Sequence, residues 1–456
     1  MGETMKKPVL QSARDLTTGA LAPQIVRFSL PLIFSNMLQI LFNMADVAVV
    51  GRFAGSLALG AVGSTTTLVT LFTGFLLGMA DGINVLTATF FGARDKRALD
   101  ESIHSAALIQ IILGMLMLVA GSVLAGPILT LMNTKPELMD GAVLYLRIYF
   151  LGMPAAALFN LGNAVFSAVG NTRLPLMCLS LAGVVNVVLN LFFVIVCRMD
   201  VAGVALASAI SQYLSAGLVI RALLRSEEDY GLRFNRLRLT RGRCRAILSL
   251  GLPAGLQYGI FTIANLFVQV GVNTFDAVTV AGNSAASNAD SLVYTAMAAF
   301  YTACGSFIGQ NYGAGKKDRV RHTFFLCTGF AVGVAVVLGG GLLAMGRPFL
   351  SLFSGDAAVV EAGMLRLQVM CLSYGLSPFM DCPIAASRGL GRTLGSTAIV
   401  ITGSCVFRIM WIYTVFAWIG TPTSLYLLYP CSWFITAAAE LWYFRRVYRE
   451  AVTHMA

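Results

Sequence analysis

Four polar side chains interrupt an otherwise apolar stretch near the start of the chain, and their spacing is that of one helical face. Asn36, Gln39, Asn43 and Asp46 recur at intervals of three, four and three residues, a polar stripe that ends in a carboxylate. A carboxylate set among amides in apolar surroundings can take up a proton or a hard monovalent cation such as sodium. Two further segments supply matching groups. Asn186 and Asn190 stand four residues apart and so share a face, and Ser208 follows in the next apolar segment. Counted inward from the loops at 1.5 Å per residue, Asp46, Asn190 and Ser208 come to about the same depth, roughly 8–11 Å below one surface. Asp46, Asn43, Asn186, Asn190 and Ser208 are therefore the candidate cation site, with Asp46, Asn186, Asn190 and Ser208 as ligands if the ion is sodium. A second charge, Asp381, lies deep in a later apolar segment, where it can meet a cationic ligand or pair with Arg408.

An ionisable group at such a depth matters because the chain is a membrane protein. Hydrophobic residues make up 57% of the 456, charged ones only 12%, and the mean hydropathy is +0.78; soluble domains carry about 25% charged residues. A carboxylate at mid-bilayer costs about 2.5–3.5 kcal/mol on insertion scales and is retained where it has work to do. A spanning helix needs about 20 apolar residues, and twelve stretches qualify. They are 22–50, 57–91, 104–133, 140–169, 173–197, 201–225, 246–275, 277–312, 323–353, 359–388, 394–419 and 422–444. The polar start, Met1 to Leu21, is no cleavable signal peptide, so the first stretch is a true span.

The two halves of the chain repeat each other. Slid about 222 residues, Leu30-Pro31 through Asn43 to Phe53 falls without a gap on Leu252-Pro253 through Asn265 to Phe275. Gly92-Ala93 followed by Arg94 to Arg97 answers Gly313-Ala314 followed by Gly315 to Lys317, and Gly170-Asn171-Thr172 answers Gly391-Arg392-Thr393. Six helices per half is an even number, so the repeats are parallel, as in transporters whose two bundles move around a shared site. The expected organisation is an amino-terminal bundle over 1–225, a basic cytoplasmic linker over 226–245 and a carboxyl-terminal bundle over 246–456. Opposite Asn36, Gln39, Asn43 and Asp46 the second half has Tyr258, Phe261, Asn265 and Val268, so the acidic stripe belongs to the first bundle alone.

Basic residues set the orientation. With the amino terminus inside, the inner segments hold 24 of the 32 Lys and Arg, including Lys6, Lys7 and Arg14, and the outer loops hold four. This explains the net charge of +11 as topology, without nucleic acid or an acidic partner. The linker, with Arg233, Arg236, Arg238, Arg241 and Arg243 among Leu232, Phe234, Leu237 and Leu239, fits a segment lying on anionic inner-leaflet lipid. Nine scattered cysteines have no CxxC spacing, and His104, His322 and His454 form no metal motif. Neither a disulfide framework, a structural metal nor an embedded enzyme is indicated.

Taken in order, Leu41-Phe-Asn-Met-Ala-Asp46, Val50-Gly-Arg52, Gly92-Ala-Arg-Asp95, Gly170-Asn-Thr172, Asn186 to Asn190, Gly203-Val-Ala-Leu-Ala-Ser208, Gly313-Ala-Gly315, Arg388-Gly-Leu-Gly-Arg-Thr393 and Tyr429-Pro-Cys-Ser-Trp433 resemble the multidrug and toxic compound extrusion (MATE) family, in its DinF-like branch. The resemblance implies an all-α, twelve-helix, two-bundle antiporter in the inner membrane of a bacterium, monomeric, with both termini cytoplasmic. It would expel amphipathic, usually cationic, drug-like compounds against an inward flow of protons or sodium, with no cofactor. The acid at Asp46 would be the coupling carboxylate, and Pro31 a hinge for the first helix. Asn36, Gln39, Tyr258, Asn265 and Asp381 are the candidate substrate contacts. Where some relatives carry a second acid this chain has Asn190, and Gln257 to Asn265 holds no acid where another branch has a glutamate. A flippase for a lipid-linked precursor shares the architecture, but would be expected to place basic residues, not acids and amides, inside the first bundle.

Overall fold

A computed structural model describes residues 13–454, which are helical with no strand among them. Lys6 and Lys7 lie outside the described residues. Twelve spans run in order: α1 (Leu21–Val49), α2 (Gly55–Gly92), α3 (Lys96–Leu131), α4 (Pro136–Phe150 and Met153–Ala168), α5 (Arg173–Leu191), α6 (Asp200–Arg225), α7 (Arg241–Val272), α8 (Ala277–Gly313), α9 (Lys317–Ala344), α10 (Ala357–Gly389), α11 (Thr393–Ile419) and α12 (Leu428–His454). Backbone groups have no water to bond in hydrocarbon, and a helix satisfies them internally, which is why an apolar chain of this length folds as spans. Apolar side chains such as Leu116, Val123, Val336 and Val337 stay more than half exposed, as a lipid-facing surface requires.

The fourth expected span is two helices, bent by 46° at Leu151-Gly152. Pro154, in the first turn of the second piece, has no N–H to continue the ladder of the first. A short helix, Pro422–Tyr426, precedes α12, which begins six residues later than the sequence suggests and runs well past the expected end at 444. α2 and α8, 38 and 37 residues long, exceed a single bilayer crossing as their apolar stretches imply.

The described residues divide into two compact units, one of residues 13–15 and 34–255, the other of 16–33 and 256–454. The division does not follow the expected linker. It falls inside α1 and inside α7, each time two residues after a proline, Pro31 and Pro253, at positions that correspond in the internal repeat. The repeat also reappears in backbone conformation. Gly170 (φ +81°) and Gly391 (φ +77°) take the left-handed conformation that ends one helix and starts the next, and Arg94 (φ 57°) corresponds to Gly315 (φ +68°).

In the first unit α2 meets the start of α7 backbone to backbone. A Cβ on Gly78 would lie 2.3 Å from the Gly255 nitrogen, and one on Gly82 2.5 Å from that of Gly251. The glycines of α2 thus serve close packing, as their four-residue spacing suggests.

The basic segment after α6 is tied to α3 by ion pairs. Glu101 of α3 accepts from Arg97 (3.0 Å), Arg238 (3.3 Å) and Arg243 (3.4 Å), and Asp100 accepts from Arg236 (3.2 Å). His104, 1% exposed, is part of the same clasp. Its Nε2 accepts the Arg233 N–H at 3.0 Å, so its proton sits on Nδ1 and is donated to the Asp100 carbonyl at 2.7 Å. The stretch contributes one turn of 3-10 helix, Phe234–Arg236, and α7 begins at Arg241, inside the expected linker.

Candidate functional site

Asp46 sits one turn from the end of α1, half-buried, and three residues from two other helices close on it. From α5, the Asn190 amide donates to Asp46 Oδ1. From α6, Ser208 Oγ donates to Asp46 Oδ2 at 3.2 Å. Behind them the asparagines are linked, Asn190 Nδ2 donating to Asn186 Oδ1 at 3.2 Å, while Asn186 Nδ2 donates to Ser208 Oγ (3.5 Å) and Ser211 Oγ (3.3 Å). Asn186 and Asn190 are buried, at 5% and 0% exposure. The ring of bonds fixes both amides, and one acceptor is left over. Asn190 Oδ1 is sealed from solvent and accepts no hydrogen bond.

The helices are shaped for this meeting. α1 and α5 each pass into a π turn just beyond their site residues, Val50–Ala54 after Asp46 and Phe192–Val196 after Asn190. A π turn widens the helix and re-aims side chains, and such turns concentrate at functional sites. Gly183, two turns before Asn190, admits the Phe42 ring of α1. A Cβ there would stand 1.8 Å from the ring.

Of the residues expected at this site, Asp46, Asn186, Asn190 and Ser208 are brought together. Asn43 is not; its side chain is exposed and takes no part in the ring of bonds. Gln39 is exposed and Asn36 half-buried, further along α1. The sequence analysis missed Ser211, three residues after Ser208 and hence on its face. It also missed Tyr145 and Tyr149 of α4, whose stacked rings lie 5.9 Å apart within electrostatic reach of Asp46. Their four-residue spacing was the available signal, but tyrosines at that spacing usually mean core packing.

The other candidates fall in the second unit. Asp381 does not pair with Arg408; its Oδ2 accepts from Ser377 Oγ at 2.7 Å. Asn265 accepts from Arg408 Nη1 at 3.2 Å. Tyr258, 37% exposed, and Pro31, buried, lie in α7 and α1 of this unit. Asp290 forms an ion pair with Arg366, and Tyr374 Oη also donates to it. Glu440 is wholly buried, its Oε1 accepting from Ser396 Oγ at 3.0 Å. Gln257, in the region without acids, accepts from Arg388 Nη2 at 2.9 Å.

Comparison with known proteins agrees with this architecture. The MatE family model matches residues 31–192 and 253–414, two stretches that begin 222 residues apart, the offset of the internal repeat. The chain is 27% identical over 437 residues to the probable multidrug resistance protein YpnP of Bacillus subtilis, covering 95% of this chain and 97% of that one. It is 25% identical to the multidrug resistance protein PmpM of Pseudomonas aeruginosa, over 94% of this chain and 88% of that one. Among solved structures, a MOP superfamily transporter from Pyrococcus furiosus superposes with a TM-score of 0.89 at 21% identity, over 96% of this chain and 98% of that one, which establishes the shared fold. A match on both repeats, over most of the chain, places this twelve-span membrane protein in the MatE family of transporters.

Proposed function

We propose that this protein is a multidrug efflux antiporter of a bacterial cytoplasmic membrane, acting as a monomer with both termini inside, that expels amphipathic cationic compounds in exchange for protons or sodium ions. The observation that carries the reading is Asp46 held between Asn190 and Ser208 in the first unit. The names of the relatives support efflux of drugs, and the excess of basic residues on one side of the spans supports the orientation.

In this reading the coupling ion is cargo, and the cluster fits it. Asp46 supplies a negative charge, and Ser208 Oγ and the orphaned Asn190 Oδ1 supply neutral oxygens. A sodium ion takes these as ligands. A proton on Asp46 Oδ2 finds Ser208 Oγ, 3.2 Å away, as its acceptor. Either ion neutralises the carboxylate and removes its attraction for a cationic drug. Pro31 breaks the hydrogen-bond ladder of α1 two residues before that helix passes from one unit to the other, which suits it to bend when Asp46 changes charge. Acids and amides rather than basic side chains surround the site, which favours antiport over carriage of a lipid-linked phosphate.

The test is dye efflux from energised bacterial cells expressing the wild type or Asp46→Asn at matched levels, with the proton and sodium gradients collapsed separately. Efflux that depends on one gradient and is lost in the variant supports the reading and identifies the ion. Equal efflux by both proteins refutes Asp46 as the coupling group.

A further inference from the structure

His104, near the start of α3, is 1% exposed, whereas His322, near the start of α9, is exposed. Both ring nitrogens of His104 are used. Nδ1 donates to the Asp100 carbonyl at 2.7 Å, and Nε2 accepts the backbone N–H of Arg233 at 3.0 Å. The second bond exists only while the ring is neutral, because an imidazolium has two donors and no acceptor. It fastens the middle of the segment between α6 and α7, whose two ends are held separately. The Arg233 guanidinium closes the end of α6, donating to the Ser226 carbonyl at 2.8 Å. Ser105, the neighbour of His104, holds the other end. Its Oγ donates to the Arg238 carbonyl and accepts the Thr240 N–H, each at 3.1 Å, one residue before α7 begins.

The surroundings oppose a charge on this ring. Arg97 of α3, Arg236 and Arg238 of the segment and Arg243 of α7 meet two carboxylates, Asp100 and Glu101. Arg233 adds a fifth guanidinium, bonded to backbone carbonyls, and Lys96 is paired apart from these with Asp229 at 3.0 Å. A proton on His104 is a sixth positive charge in the same place. Asp100 Oδ1 lies 3.5 Å from Nδ1 and could receive the charged ring, but it already accepts from Arg236 at 3.2 Å. Protonation at Nε2 thus has three local effects. It removes the acceptor of the Arg233 N–H, turns one donor against another, and sets the ring against Arg236 for one carboxylate.

We propose that His104 is a pH-sensitive latch on the start of α7, holding residues 232–240 against α3 while the ring is neutral and releasing them when it takes up a proton. A group that must be neutral in the closed state binds its proton on opening, so the latch holds at higher pH and weakens as the pH falls. Histidine suits the task, because its charge changes between about pH 5 and 8. α7 is the element so controlled. It begins at Arg241, packs on α2 at Gly251 and Gly255 within the first unit, and continues in the second unit from Leu256. Opening the latch frees its first turns. The consequence for transport rests on the antiporter reading, in which this end of α3 faces the cytosol. Exchange that brings protons in acidifies the cytosol, and a latch opened by acid slows that exchange.

The test is hydrogen exchange of the purified full chain in detergent, read by mass spectrometry at about pH 8 and about pH 5.5, on either side of the histidine range, and corrected for the intrinsic pH dependence of exchange. Wild-type peptides covering 232–240 should lose protection by roughly tenfold at the lower pH, the effect of leaving one buried donor without its acceptor, while peptides of α9 keep theirs. His104→Gln, whose amide oxygen can accept the same N–H and cannot titrate, should show no such change. Ser105→Ala removes the two neighbouring bonds and should raise exchange equally at both pH values. Equal wild-type protection at the two pH values overturns the proposal, and so does a pH effect of the same size in His104→Gln. Should that variant not fold, Asp100→Asn takes its place. Without the carboxylate that receives the charged ring, the loss of protection should move to lower pH, and an unmoved loss overturns the proposal. Dye uptake into inside-out vesicles, where the bath sets the pH of the cytosolic face, checks the consequence for transport. The ratio of wild-type to His104→Gln uptake should fall as the bath is acidified, and a constant ratio overturns the link to transport. Failure of the antiporter reading is separate, because it shows as no gradient-driven uptake by either protein and leaves the exchange result standing.

Discussion

Asn190 and Asp46 are joined through the asparagine amide although they stand 144 positions apart, and the same amide nitrogen donates to Asn186 Oδ1 at 3.2 Å. One side chain therefore ties the carboxylate of α1 to the interior of α5. A change of charge on Asp46 must alter this bond, and α5 and α6 are its first neighbours to respond.

Asp46→Asn keeps the size of the side chain and removes its charge. Gradient-driven dye efflux should fall to the level of cells without the transporter, while the amount of protein recovered from membranes stays that of the wild type. Efflux assays paired with quantitative immunoblots check this. Reduced recovery with normal efflux per molecule would assign Asp46 to folding instead.

Ser208→Ala and Asn190→Ala should separate in degree. Loss of the Ser208 hydroxyl removes one neutral donor, an effect of about 1 kcal/mol, or roughly fivefold in apparent affinity for the coupling ion. Loss of the Asn190 amide removes the donor to Oδ1 and leaves Asn186 Oδ1 buried without its partner, so the effect should be larger. The measurement is the ion concentration giving half-maximal efflux, and a Ser208 effect equal to or above that of Asn190 would contradict the arrangement.

Gly183→Ala puts a methyl group into the space of the Phe42 ring, 1.8 Å from its nearest atom. Overpacking of this kind costs about 1–3 kcal/mol, and here it pushes α1 away from α5 beside the Asp46 cluster. Efflux should weaken, and Phe42→Ala in the same chain should restore much of it. An absence of rescue would show that the strain lies elsewhere.

In the second unit, Arg366→Gln and Asp290→Asn each leave one charge of a buried pair without its partner, which costs about 3–5 kcal/mol. Both should lower the thermal unfolding temperature in detergent markedly. Tyr374→Phe removes only a hydroxyl donor to Asp290, costing about 1–3 kcal/mol, and should lower it less. The order of the three transitions, read by tryptophan fluorescence on heating, is the check.

Much of this was legible in the residues, for identifiable reasons. Hydropathy marks spans because the bilayer admits only internally bonded backbone, and the internal repeat survives as matched glycines, prolines and the Asn43–Asn265 pair. Asp46, Asn190 and Ser208 could be grouped from depth alone because a straight helix converts residue count to distance. That conversion gives height and not rotation, so it could not tell that Asn43 takes no part in the cluster's bonds, that Ser211 joins them, or that Tyr145 and Tyr149 lie within electrostatic reach of Asp46. Bends and π turns defeat it too, at Leu151-Gly152 and throughout α11.

The sequence by itself thus determined the class, the twelve spans, the duplication and the carboxylate of the first bundle, all of which follow from composition and one-dimensional spacing. Only the tertiary structure decided which charges are paired. It joined Asp290 to Arg366, held Asp381 apart from Arg408, enclosed Glu440, and drew the arginines after α6 onto Glu101 and Asp100. Pairing depends on which faces of different helices meet within about 3 Å. That is set by packing and by the places where a helix bends, and no residue spacing along one chain records it.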